Sequence, residues 1–479
     1  MRDALARAME RPLTPVHDAP SALPSASDAT AAAAPRPGAA AVETTDVLVV
    51  GGGPGGSTVA TLLARRGWRV VLLEKARHPR FHIGESLLPM NMPILKRLGV
   101  YEQVAAIGVR KLGADFPLDA TRYNTFRFSR ALDPKADHAF QVRRADFDQL
   151  LFAHARGAGV DAREGVRVLR VALPAAEDGT ATVDAVGEDG TALRFEARHV
   201  VDASGRDAFL GGKLGLKRKN PVHQSAAVFS HYRGVARRPG EDAGNITVQR
   251  FEHGWMWLIP LPDDVMSVGA VCYPEYLKTR RGDTEGFLQR TLESVPAVAA
   301  RMAGAERVAP VHVTGNYSYT CTRMTGPGWT LVGDAYAFLD PIFSSGVFLA
   351  MHGAERAADL VDASLRAPAT APRLRRRFER DLKRGLDEFS WFITRFNAPA
   401  VRELFRKPRN AWQIEQAVIA MLAGDVFDAP RVRRRLRAFR VLYGITALGR
   451  LRESFGNWRR RRRQRTVEIV DETLQRDGS

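Results

Sequence analysis

The sequence predicts an α/β protein: a doubly wound, Rossmann-like dinucleotide-binding domain, an antiparallel β-sheet substrate domain and a helical carboxy-terminal region. Three observations predict it. Residues 46–85 read as strand, glycine turn, helix, second strand and a proline-flanked strap. Apolar residues alternate from Ala226 to about Tyr273, the pattern of antiparallel strands with one buried face. Beyond Arg373 the chain turns helical and basic, as far as the run Arg459-Arg460-Arg461-Arg462-Arg463.

The opening unit carries most of the argument. Asp46-Val47-Leu48-Val49-Val50 is a short apolar strand, followed at once by Gly51-x-Gly53-x-x-Gly56. A small-residue helix over 57–66 leads into a second strand over 68–74 that ends on Glu74. The glycines allow a tight turn and let backbone amides reach a pyrophosphate, which sits at the positive end of the helix. Glu74, at the end of the second strand, is placed to bond the hydroxyls of an adenosine ribose. An ordinary βα turn in another doubly wound sheet is the plainer alternative.

At 479 residues the chain has ample length for two or three domains, and an apolar content of 45% fits a globular protein. No apolar run approaches the length of a membrane span. Cys272 and Cys321 form neither a disulfide framework nor a metal motif, so no metal is expected and a reducing cytoplasm is the default. The net charge of +18 comes largely from arginines in the last third. It favours acidic partners: nucleic acid, an anionic membrane surface or an acidic carrier protein. No recognised nucleic-acid module accompanies it, which argues against the first. Residues 1 to about 43, rich in Ala, Pro and Ser, read as a disordered leader without a secretory signal, or as the product of a misassigned start codon. The expected organisation is then 44–215 for the first part of the nucleotide-binding domain and 216–310 for the antiparallel domain. Residues 311–365 are its second part, and 366–479 the basic helical region.

Taken in order, 78–89 is bracketed by Pro79 and Pro89 and is too irregular for a strand or a helix. It is either a surface connection or a strap along the cofactor. A short helix over 93–98 stops at Gly99. Lys111, in Lys111-Leu112-Gly113-Ala114-Asp115-Phe116, would ordinarily be a solvated surface residue. A helix runs from about Arg143 to Ala158. In it Arg144 could reach cofactor phosphate or ribose, or simply form a salt bridge. Strands over 166–171, 181–186 and 193–201 end in the turn Asp202-Ala203-Ser204-Gly205, where backbone can approach a ligand closely. In Gly254-Trp255-Met256-Trp257-Leu258-Ile259-Pro260 two tryptophans share one strand face and Pro260 ends the strand; core packing alone would account for such a pair. A buried strand over 329–332 runs into Gly333-Asp334-Ala335, then Asp340-Pro341-Ile342-Phe343-Ser344-Ser345-Gly346 and a helix over 347–365. The amides at that helix start are free for an anion or a flavin carbonyl.

These pieces, in this order from about Thr45 to Asp428, resemble the flavin-dependent halogenases. The glycine turn, Glu74, Arg144, the Asp202 turn and Gly333-Asp334-Ala335 are shared with flavin hydroxylases and isoprenoid reductases. Three further motifs are more specific. Gly84-Glu85-Ser86-Leu87-Leu88-Pro89 resembles the strap that links the flavin and substrate sites. Trp255-x-Trp257-x-Ile259-Pro260 matches the family's tryptophan motif, and Lys111-x-Gly113-Ala114-x-Phe116 resembles the setting of its catalytic lysine.

The resemblance implies FAD held by Gly51, Gly53, Gly56, Glu74, Glu85, Ser86, Arg144, Gly333, Asp334, Pro341 and Gly346, and halide held by the Ser345 and Gly346 amides. It implies halogenation of an electron-rich aromatic substrate with chloride or bromide, through a flavin hydroperoxide and hypohalous acid that Lys111 steers. The tryptophans would screen the flavin from substrate. No second glycine fingerprint follows a strand, so reduced FAD is expected from a separate NAD(P)H-dependent flavin reductase. Phe343 stands where halogenases of free tryptophan carry a glutamate. That points toward phenols, pyrroles or carrier-tethered aromatic acids. An aromatic monooxygenase or a flavin reductase of the same fold is the alternative.

Overall fold

The computed structural model describes residues 41–119, 121–406 and 411–449. The leader and the arginine run 459–463 lie outside the described residues.

The nucleotide-binding part is built on a mostly parallel sheet. Its strands run in the order Thr325–Gly326, Trp329–Leu331, Ala192–Asp202, Val42–Val50, Val70–Glu74 and Asp161–Glu164. Val47, Leu48, Val49, Leu72, Val200 and Val201 are all buried, as a sheet covered on both faces requires. Register places the functional turns side by side: Val50 pairs with Leu73 on one flank and with Asp202 on the other. The glycine turn, Glu74 and the Asp202 turn therefore share one carboxyl edge, where open α/β sheets bind ligands. The meander Val166–Ala172, Ala181–Gly187 and Ala192–Asp202 forms as expected.

The first helix is Pro54–Ala64, three residues earlier than the predicted start. Proline is favoured in the first turn, because its missing amide is one that has no helical partner anyway. The second strand begins at Val70 rather than at 68.

The second sheet is antiparallel, in the order Ala337–Phe338, His312–Cys321, Lys217–Arg233, Val265–Cys272, Gly254–Pro260, Ile246–Phe251, Gly113–Pro117 and Tyr123–Arg127, with one parallel contact between Ile246–Phe251 and Gly113–Pro117. The strand His312–Cys321 thus pairs here rather than in the nucleotide-binding sheet. The hairpin Gly113–Pro117 with Tyr123–Arg127 joins the same sheet from far upstream. Neither follows from local pattern, because strand partners are chosen by tertiary packing.

The basic region is part of the core. Helices Ala371–Arg395, Pro399–Arg406, Ile414–Leu422 and Pro430–Leu448 carry arginines outward. Inward they bury Phe389, Phe392, Phe396, Phe405 and Phe439 against the same cluster as Trp255, Trp257 and Phe116. Among the described residues no helix is long and apolar enough to cross a membrane.

Candidate active site

A cavity of about 640 Å³ opens between the two sheets, within the usual range for small-molecule sites. Its wall includes Gly51, Gly53, Glu74, Arg80, Glu85, Ser86, Arg144 and Asp334, with Pro341, Ser345 and Gly346. It also includes Trp255, Trp257 and Ile259 from the antiparallel sheet. Sequence-predicted residues from six separate stretches therefore meet in one space.

The glycines divide their work. Gly51 has φ +100° and a side chain there would lie 2.5 Å from the Ala203 carbonyl oxygen. At Gly56 an added Cβ would fall 1.8 Å from the Gly51 carbonyl oxygen. Both are required by the turn itself, and Gly56 is absent from the cavity wall. Gly53 is different: it caps the helix, and a Cβ there would meet only Arg80 Nη2 at 3.5 Å. This is a cradle open toward a ligand, and FAD fits it. Glu74 is buried at the end of its strand. Its Oε2 accepts from the Gly52 amide at 2.7 Å and its Oε1 from the Ala76 amide at 3.0 Å. Two backbone donors fix a carboxylate that lines the cavity, with Arg80 Nη2 3.6 Å from its Oε2.

Arg144 lines the cavity, but its fork is committed. Nε and Nη2 bond the two oxygens of buried Asp148 at 2.8 and 2.9 Å, and Nη1 donates to the Ile83 carbonyl at 2.8 Å. The salt-bridge reading is realised, and through Ile83 it anchors the strap. Asp334 sits in the wall, pushed up to about 6 by burial, with the Arg206 and Arg144 guanidinium groups opposing the rise. Ser345 caps Gly346–Arg366, whose first-turn amides lack helical acceptors. A Cβ at Gly346 would meet nothing within 4 Å, and Ser345 and Gly346 both line the cavity at this helix start, the kind of place where a small anion is stabilised.

The strap crosses between the two halves. The Glu85 carbonyl accepts from the Val142 amide at 2.8 Å, and Glu85 Oε1 bonds His231 Nε2 at 2.7 Å. Glu85 Oε2 is buried without a partner. Lys111 is 1% exposed, contrary to the ordinary expectation for a lysine. Its Nζ donates to Ser86 Oγ at 2.8 Å and to the Leu87 carbonyl at 3.0 Å, and lies 5.4 Å from the centre of the Phe128 ring. No carboxylate among the described residues pairs with it. Burial therefore drives its pKa down to about 7. Ser86 faces the cavity and Lys111 does not, so the strap stands between the lysine and the flavin space. Trp255 and Trp257 lie 5.8 Å apart, and the Trp257 indole donates to Ser267 Oγ at 3.0 Å. Pro260 ends their strand, outside the wall.

Sequence reading singled out neither His231 nor Arg206, whose guanidinium lies 4.8 Å from the Phe338 ring beside the cavity. His231 comes from the strand Lys217–Arg233, whose partners are set by the sheet register, and Arg206 from the turn Gly205–Asp207, whose side-chain partners Thr314 and Gly315 lie more than a hundred residues downstream. Phe343 is buried, 5.6 Å from Phe396, and presents no carboxylate.

The fold and the cavity define a protein built to bind FAD, and the family described as "FAD binding domain" matches residues 44–376. Two relatives narrow the class. A tryptophan 2-halogenase of Chondromyces crocatus is 38% identical over 63% of this chain and 58% of its own length. A 1H-pyrrole-2-carbonyl-[peptidyl-carrier protein] brominase of Pseudoalteromonas luteoviolacea is 32% identical over 67% and 78%. A flavoprotein/dehydrogenase structure from Cytophaga hutchinsonii superposes with a TM-score of 0.77 at 28% identity, over 85% of this chain and all of that one. The chain belongs to the FAD-binding family and, within it, to the flavin-dependent halogenases. It spans between 58% and 64% of the length of the first three curated relatives it matches.

Proposed function

We propose that this chain halogenates an electron-rich aromatic substrate, using reduced FAD, oxygen and chloride or bromide. The observation that supports it best is Lys111: a buried ammonium without a carboxylate, tied to the strap that borders the flavin cavity. Bound FAD, reduced and meeting oxygen, supplies the oxidising power that turns halide into hypohalous acid. The protein's residues do the rest. Gly51 and Gly56 shape the turn, Gly53 admits the pyrophosphate, and Glu74 holds the ribose. The Ser345 and Gly346 amides hold the halide, and Trp255 and Trp257 keep water and substrate away from the flavin space. Lys111 donates hydrogen bonds to hypohalous acid, or releases a proton and accepts the halogen, and so aims an otherwise indiscriminate electrophile. A pKa near neutrality suits either role. Purified protein given FAD, a flavin reductase, NADH and bromide should brominate an aromatic panel; hydroxylated product alone would overturn the reading.

The likeness to a flavoprotein/dehydrogenase favours a second reading, an aromatic monooxygenase or flavin reductase of the same fold. The same assay separates them. Substrate class follows from Phe343, which withholds the glutamate associated with free tryptophan, and from the relative named for a carrier-bound pyrrole. A phenol, a pyrrole acid or a carrier-tethered aromatic acid is therefore proposed. The panel should include free tryptophan, because a relative named for it stands at 38% identity. The outward arginines suit an acidic carrier protein rather than nucleic acid or a membrane surface, although peripheral contact with anionic lipid uses the same charge. Carrier docking of this kind weakens steeply with salt. Turnover of a tethered substrate that ignores salt between about 50 and 300 mM would remove the carrier from the proposal. A reducing, cytoplasmic setting remains part of this proposal.

A further inference from the structure

Arg250 lies on the strand Ile246–Phe251, where Ile246, Val248 and Arg250 alternate onto one face. Ile246 borders the cavity, and Arg250 pairs across the ladder with Trp255, which also borders it. The guanidinium lies 3.8 Å from the Phe396 ring centre, under the helical layer. Its Nε and Nη2 are buried and have no hydrogen-bond partner, and no carboxylate among the described residues pairs with it. The charged group that acts on it is Arg402, of like sign; the neutral Tyr273 hydroxyl nearby accepts from Asn397 Nδ2 at 2.7 Å. Arg402 is exposed, so the cluster reaches solvent on that side. Burial, reinforced by Arg402, pulls the Arg250 pKa down to about 9.

A buried guanidinium without a counter-charge is strongly unfavourable, and its cost is relieved when an oxyanion arrives. We propose that Arg250, with Arg402 at its outer side, is a binding site for an oxyanion carried by the aromatic substrate, a carboxylate or a phosphate. Ile246 and Arg250 are four residues apart, about 13 Å along an extended strand. That spacing lets a substrate place its ring beside the strap and its anionic end under Phe396. The inference rests on the proposed reading that the chain halogenates an aromatic substrate, and adds to it that the substrate lies on this sheet face. The anion has two sources: the acid group of a free aromatic acid, or the phosphodiester of a carrier's pantetheine arm.

Binding is tested by thermal unfolding of the FAD-loaded protein, with no turnover. The probes are 4-hydroxybenzoate against phenol, and pantetheine 4′-phosphate against pantetheine. One anionic probe of the two should raise Tm where its uncharged counterpart does not, and which one does so names the source. Arg250→Met should abolish the rise, and Arg402→Gln, an exposed change that spares the fold, should weaken the anion at least threefold. Without probe, Arg250→Met should unfold no earlier than the parent, because an uncompensated charge has gone. Equal shifts from charged and uncharged probes, or an anion effect that survives both substitutions, would overturn the inference. Halogenation that proceeds without any anion effect would defeat this site alone; an anion effect without halogenation would defeat the proposed reaction instead.

Discussion

Lys111 Nζ and Ser86 Oγ stand 2.8 Å apart across the strap, joining a buried ammonium to a residue of the flavin cavity wall. Among the described residues the lysine has no counter-charge, and burial lowers its pKa to about 7. An unfolded lysine titrates near 10.4. Between those values the unfolded chain holds a proton that the folded chain has released. Stability from this group therefore rises with pH from about 7 upward, and the full penalty is present below about 7. Lys111→Met should raise Tm over the parent most at about pH 6, and the advantage should shrink by about pH 9. A difference independent of pH would mean that the ammonium is compensated.

The glycine turn separates binding from folding. Gly53→Val places its side chain in the open cradle, so apo stability should hold within about 0.5 kcal/mol, as for a substitution away from packed features. FAD retention should fall at least tenfold. Gly56→Ala instead drives a methyl into the Gly51 carbonyl oxygen and should destabilise the fold itself. Flavin titration and thermal melts on both variants check the division. Normal flavin binding by Gly53→Val would contradict the assignment.

Reduced FAD should come from elsewhere. NADPH added to the FAD-loaded protein alone should leave the oxidised-flavin absorbance essentially unchanged for minutes, and a separate flavin reductase should bleach it. The expectation rests on a single glycine fingerprint in the chain. Rapid bleaching without reductase would favour the second reading.

The carboxy-terminal helices should behave as core. Phe392 is 1% exposed and stacks 5.2 Å from Phe439. Phe392→Ala is expected to cost about 3–5 kcal/mol in chemical denaturation, as large-to-small changes in packed cores do. A loss near zero would make the region an appendage.

Much of this was legible in the chain. The opening βαβ unit announces itself because glycine spacing, apolar strands and Glu74 are all local to one another. The tryptophan pair was legible as a strand face for the same reason. Lys111 was not legible from composition or period, because a lone lysine is ordinarily solvated. Its burial depends on Ser86 and Leu87, more than twenty residues upstream. Arg144 could be read either as a ligand for cofactor or as an ion pair; the ion pair with Asp148, one helical turn on and fully buried, is visible only in three dimensions, and Arg144 lines the cavity as well. The sheet membership of His312–Cys321, and with it the neighbourhood of Phe229 and His312, is a matter of long-range register. So is Arg250, whose isolation becomes visible only once Phe396 closes over it.

The central claim is that Lys111 transfers or aims the halogen without taking part in flavin chemistry. Lys111→Ala and Lys111→Arg should be assayed with a flavin reductase, bromide and an aromatic substrate, measuring oxygen consumption and brominated product side by side. Both variants should bind FAD and consume oxygen at close to the parent rate while product falls at least a hundredfold. Arginine should fail like alanine, because a guanidinium is a planar fork that keeps its proton. Brominated product at the parent level from either variant would contradict the account.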